Sequence, residues 1–201
     1  MKDLKKLVFK PSDVRDFRII CDQIDRLQKK CKDILWALMA KNLRPSVTEN
    51  LDSLEFNELT NSKIDRSTKA GVLCDDMQRF LRFKTAAKIM TKSTDADKEV
   101  ETLSDDLESS LFSFTSLMGK VLRQNSIPSP PPEDLNGLED QLDEKTKVFL
   151  ESFDEAAPVE NTDGSEIDES KVDEVRNFVI LRTLSETILF FKIDFGHLIA
   201  G

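Results

Sequence analysis

Histidine and tyrosine are almost missing from this chain. One His, no Tyr and three Cys among 201 residues leave few groups for metal binding or acid–base chemistry. Glycine is scarce too. Six residues supply little material for tight hairpins or phosphate cradles, which argues against a β-sandwich or a nucleotide-binding fold. No apolar run approaches the roughly 20 residues of a membrane-spanning helix, and the mean hydropathy is −0.38. The apolar block Leu7-Val8-Phe9 is too short for a signal-peptide core, so an intracellular location, nuclear or cytoplasmic, is the expectation. Cys21, Cys31 and Cys74 show no metal-ligand or redox spacing and read as reduced, partly buried thiols.

Charge is abundant and unevenly placed. Lys plus Arg number 29 and Asp plus Glu 38, for a net charge of −9. Residues 1–92 carry 20 basic and 13 acidic side chains, a net of +7; residues 93–201 carry 9 and 25, a net of −16. The two parts can neutralise one another within one fold, or the basic part can face an acidic partner; the first needs no outside ligand.

Apolar spacing carries the strongest signal. Between Asp13 and Asn42, Phe17, Ile20, Ile24, Leu27, Cys31, Ile34 and Leu38 recur at intervals of three and four without a fault. That is the seam of a bundle or coiled-coil helix, with Ser12 and Asp13 as caps and Pro45 beyond its end. Ile19, Leu35 and Met39 widen the stripe, which favours a bundle of several helices. Trp36 lies beside the seam, where packing at the seam edge is the favoured reading and a partner anchor the other. Residues 46–60 read as a short helix or an irregular connection. A second long segment, from about Ser62 to Lys92, places Ala70, Leu73, Met77, Phe80 and Ala87 at heptad spacing with Lys84 in the remaining slot. Gly71 is unfavourable inside a helix, so the helix could begin just past it. A third segment ends near Gln124 and carries Val100, Leu103, Leu107, Leu111, Phe114, Met118 and Val121, with Thr94, Asp95 and Asp97 as capping groups.

Pro128, Pro130, Pro131 and Pro132 then interrupt any helix and favour an extended spacer. A fourth segment over 133–155 aligns Leu135, Leu138, Leu142, Phe149 and Phe153. The stretch 154–170 is acidic and reads as a loop. In the last segment Leu181, Leu184, Ile188, Phe191, Phe195 and Leu198 repeat the seam, while Val179, Ile180, Leu189, Phe190, Ile193 and Ile199 lie off it. A helix apolar nearly all round is either central to a bundle or set against another chain.

The expected fold is therefore all-α: an elongated helical bundle or coiled-coil hairpin of four to five helices. The expected organisation is an N-terminal helical unit over 1–125, a Pro-rich linker over 126–132, and a C-terminal helical pair over 133–201 with its acidic loop.

Candidate chemistry is thin. Ile193-Asp194-Phe195-Gly196-His197 resembles the metal-binding Asp-Phe-Gly element of phosphoinositide 3-kinase-like enzymes over five residues. No Asp-Arg-His catalytic loop, Gly-rich loop or strand-borne Lys accompanies it, so kinase activity is not expected, and Gly196 is read as the end of the last helix. His197, the sole imidazole, has no cysteine-protease signature to join. Asp75-Asp76, Asp105-Asp106 and Asp143-Glu144 are adjacent pairs, which point about 100° apart on a helix, and read as solvated faces. The lysines at 2, 5, 6, 10, 29, 30 and 32 are interleaved with acids and lack stacking aromatics, so nucleic acid is not the expected partner, and neither is a membrane.

These observations lead to an expectation of a non-enzymatic scaffold or interaction subunit without a cofactor. It would give amphipathic helices to a hetero-oligomeric assembly of kinetochore, tethering or transcription-regulatory type, with other helical proteins as partners. The expected interaction residues are Phe17, Ile20, Ile24, Leu27, Ile34, Trp36 and Leu38 on the first helix and Leu184, Ile188, Phe191, Phe195 and Leu198 on the last. The alternative is a soluble monomeric regulator docking through its acidic loop or Pro-rich linker.

Overall fold

A computed structural model describes residues 11–39, 45–91, 98–154 and 169–200. Helices α1 (Pro11–Met39), α4 (Lys69–Thr91), α5 (Lys98–Gln124) and α7 (Glu169–Ala200) are long. Shorter pieces are α2 (Pro45–Asn50), a 3₁₀ turn (Leu51–Ser53), α3 (Asn57–Thr60) and α6 (Leu138–Asp154). No strand occurs among the described residues, and no helix among them is long and apolar enough to cross a membrane.

The long helices form a ring in the order α1, α5, α4, α7, with α7 closing back on α1. Their directions follow from paired side chains. Asp16 meets Lys120 at 3.0 Å and Lys30 meets Asp106 at 3.1 Å, so α1 and α5 are antiparallel. Phe80 lies against Phe114 (4.5 Å between centroids) and Lys88 reaches Glu108 at 3.7 Å, so α4 and α5 are antiparallel as well. Phe80 also meets Phe191 at 5.1 Å, while Arg66 bridges Asp76 and Asp194, which sets α7 antiparallel to α4. Every neighbour in the ring is thus antiparallel, and α1 and α4 lie on a diagonal, pointing the same way. The result is a bundle. Each long helix packs on two others, which is the packing of the expected bundle.

Parallel diagonals require the chain to return along the bundle between α1 and α4, and again between α5 and α7. The pieces from α2 to α3 make the first return, and α6 makes the second. Both run outside the ring against α4 and α7. Arginines fasten them. Arg182 donates to the carbonyls of Leu51 and Leu54 at 2.7 Å each, and Arg82 holds Glu133 and the carbonyl of Asn61. Arg176, buried, ties α7 to Asp143 of α6 at 2.5 Å. Such bonds satisfy chain segments that no regular ladder supports.

The core is one apolar cluster drawn from both sides of the Pro-rich stretch. At its middle, Phe80, Phe114 and Phe191 touch edge to face or tilted, and Phe195 stacks on Phe191 at 5.2 Å. Each such ring buries enough apolar surface that truncation to Ala costs about 3–5 kcal/mol.

Several helix ends differ from expectation, each for a local reason. α1 starts at Pro11, since proline suits the first helical turn. α4 starts at Lys69, where Thr68 caps it: its hydroxyl accepts the Gly71 N–H at 3.0 Å. Gly71 lies inside the helix because the carbonyl of Asp65 presses against it; a Cβ there would stand 1.9 Å from that oxygen. α5 ends at Gln124, as expected, in a Schellman motif. Ser126 takes φ 56°, Ile127 N–H bonds to Leu122 O at 2.9 Å, and both of those apolar side chains are buried. α6 begins at Leu138, after a turn in which Gly137 takes φ 77°. Gly196 does not end α7, which runs on to Ala200. The capping residues expected at 94–97 and most of the acidic loop at 154–170 lie outside the described residues.

Candidate interaction surface

Ten of the twelve residues expected to meet a partner are buried in the chain's own core: Ile20, Ile24, Leu27, Ile34, Leu38, Leu184, Ile188, Phe191, Phe195 and Leu198. The seams of α1 and α7 face the ring interior, where α5 and α4 also contribute apolar side chains. Trp36 departs from its favoured reading. It does not pack, and is 73% exposed. The side chain of Phe17 lies outside the described residues.

The accessible apolar surface is instead on the residues off the seam. Val175, Val179, Glu186, Phe190, Ile193 and His197 share one outward face of α7 by helical spacing. Early in the helix that face is covered, where α6 and α3 pack on α7, and Val175 and Val179 are buried. Past Thr187 the cover stops. Leu189, Phe190 and Ile193 are 47%, 65% and 57% exposed. A groove of about 510 Å³ leads into this face, between the 52–60 segment and α7. Phe56 lies buried at the groove, and the hydroxyls of Thr183 and Thr187 donate back to Val179 and Thr183 of their own helix.

A second cluster lies beside the ring. Asp75 and Asp76 are 0% and 3% exposed, so this pair is not a solvated face. Arg66, from the loop before α4, bonds to Asp75, to Asp76 at 3.0 Å and to Asp194 of α7. Arg79 adds a contact to Asp75 at 3.1 Å. Three carboxylates thus share two guanidinium groups, and Asp75 Oδ1 and Asp76 Oδ2 have no hydrogen-bond partner. Burial pushes the Asp76 carboxyl from its usual 3.8 up to about 7; Arg66 opposes the shift, and the charges of Asp194 and Asp75 add to it. Burial works against the charge of Arg66, but the bond to Asp75 and the charges of Asp76 and Asp194 outweigh it and raise its pKa.

The same geometry places the kinase-like string. Ile193 to His197 is helical throughout, with Asp194 on Arg66 and Phe195 in the core. Among the described residues no group of three or more His, Cys, Asp or Glu is arranged to hold a metal ion. Burial raises the thiols of Cys21 and Cys74 and pushes Cys31 up to about 12.

The burial of Asp76 has a signal in the sequence. Leu73, Asp76, Phe80, Phe83 and Ala87 form a three–four stripe as regular as the one through Met77 and Lys84. Each stripe has one charged residue. The structure takes the Asp76 stripe into the interior, because Arg66 supplies the counter-charge there.

No family model matches this chain, and comparison with curated proteins and with solved structures returns no match. Among the described residues the fold is an all-helical bundle with an uncovered apolar helix face.

Proposed function

We propose that this protein is a non-enzymatic interaction subunit that gives a helix face to a larger hetero-oligomeric assembly, nuclear or cytoplasmic. One observation carries the reading: the outward face of α7 loses its cover past Thr187 and presents Leu189, Phe190 and Ile193 to solvent. Three large apolar residues on adjoining turns of one rigid helix are the anchor pattern of helix-mediated recognition. Trp36, on the neighbouring helix α1, adds a second exposed aromatic.

The test is the double variant Phe190→Asp with Ile193→Asp, expressed in the native cell and recovered with its companions. Both residues are exposed, so melting by circular dichroism should change little. Loss of co-purifying proteins is the expected result, and retention of every one of them overturns the reading.

A second reading is a monomeric regulator that docks through the Pro-rich segment. It is favoured by the segment's placement. Residues 127–135 lie outside any helix, and Pro128, Pro131 and Pro132 are exposed while Ile127 is buried at one end and Glu133 is bonded to Arg82 at the other. Changing Pro131 and Pro132 to Ala would then abolish partner capture while the α7 variant would not.

A further inference from the structure

We infer that the α7 groove receives a basic amphipathic helix from a partner protein; this rests on the interaction reading above and names the chemistry of its ligand. The exposed trio of Leu189, Phe190 and Ile193 continues along α7 from the groove, which Phe190 lines. From Arg182 to Ile193 the helix rises about 17 Å, or three turns, which matches three turns of a second helix laid against it.

The charge preference comes from which groups at the groove are already paired. Its two cations are engaged inside the chain: Arg182 with Asp52 and two carbonyls, and Arg79 with Asp75. Glu55 and Glu186 line the same groove, are exposed, and have no ion-pair partner among the described residues. The free charge of the groove is therefore negative; its lining is mostly polar, and the exposed apolar trio adjoins it along α7. Lys or Arg at the edges of an apolar helical stripe complements both properties at once. The same acids repel nucleic acid and anionic lipid. They also disfavour a second copy of this chain, since a two-fold contact sets the patch against itself and brings acid to acid.

The probe is a fluorescein-labelled 16-residue Leu/Lys peptide with Leu at three–four spacing, titrated with the full chain and followed by anisotropy. Its controls are a scrambled peptide of the same composition and a Leu/Glu peptide of the same pattern. The patterned Leu/Lys peptide should bind at least tenfold more tightly than either control. Glu55→Lys combined with Glu186→Lys should weaken it at least tenfold with an unchanged circular dichroism melt, and should improve binding of the Leu/Glu peptide.

Equal binding of the scrambled peptide, or no effect of the charge reversal, overturns the inference. So does sedimentation of the free chain as a dimer that Phe190→Asp dissolves, because a second copy is then the occupant. The two levels separate cleanly. Partner capture lost in the Phe190/Ile193 variant but kept in the charge-reversal variant rejects the basic ligand and retains the interaction subunit.

Discussion

Asp76→Asn should change how stability depends on pH. In the folded chain the carboxyl is held at about 7, against 3.8 when free. Between these values the folded state binds a proton that the unfolded state has lost. Stability from this group is therefore complete below about pH 4, falls as pH rises, and is gone above about 7. The interval is about 3 pH units at 1.36 kcal/mol each, so the upper bound is roughly 4 kcal/mol. Asparagine imitates the neutral acid at every pH. It keeps an oxygen for Arg66 and removes one of the three charges set by Asp75, Asp76 and Asp194 against Arg66 and Arg79. The assay is urea unfolding of wild type and variant at half-unit steps from pH 4.5 to 8.5. Other carboxylates titrate in both proteins, so the difference between the two curves isolates Asp76. That difference should grow in favour of the variant as pH rises, reaching about 1–4 kcal/mol at pH 8. Parallel curves, or a variant weaker than wild type at pH 8, would refute the reasoning.

Two glycines should respond in opposite ways to alanine. Gly71→Ala places a Cβ against the Asp65 carbonyl and should cost about 2–4 kcal/mol, whereas Gly196→Ala meets nothing within 4 Å and should add about 1 kcal/mol of helix stability. Thermal melts of both variants check the contrast, and equal shifts would contradict the close approach at Gly71. Ser126→Gly relieves a left-handed residue at the end of α5 and should stabilise by about 1 kcal/mol in the same assay.

The legible parts of the fold are those where one stripe is fully apolar. The seams of α1 and α7 can be read residue by residue, and all their described members are buried. α4 resists this reading. It is enclosed by α5, α7 and the outer returns, so burial extends around most of its circumference and no single stripe stands out. Its choice between Met77 and Asp76 depends on Arg66 in a loop and on Asp194, 128 residues from Arg66 along the chain. Local spacing carries no information about such a meeting. The exposed apolar face of α7 was obscured in a related way. A continuous seam signals burial but does not say whether the neighbour belongs to the same chain. Here it does, and the exposed Leu189, Phe190 and Ile193 were visible only as residues that failed to fit.

The place of α7 in the ring has a consequence for biosynthesis. It is the last of the described helices to leave the ribosome, yet it closes the ring between α1 and α4 on the side opposite α5 and contributes Phe191 to the central ring cluster. A nascent chain that has reached only the acidic loop holds an open trough with Phe80 and Phe114 on its floor. Closure must await synthesis of α7, so a chain stopped short of it would expose the apolar floor that α7 covers in the finished bundle.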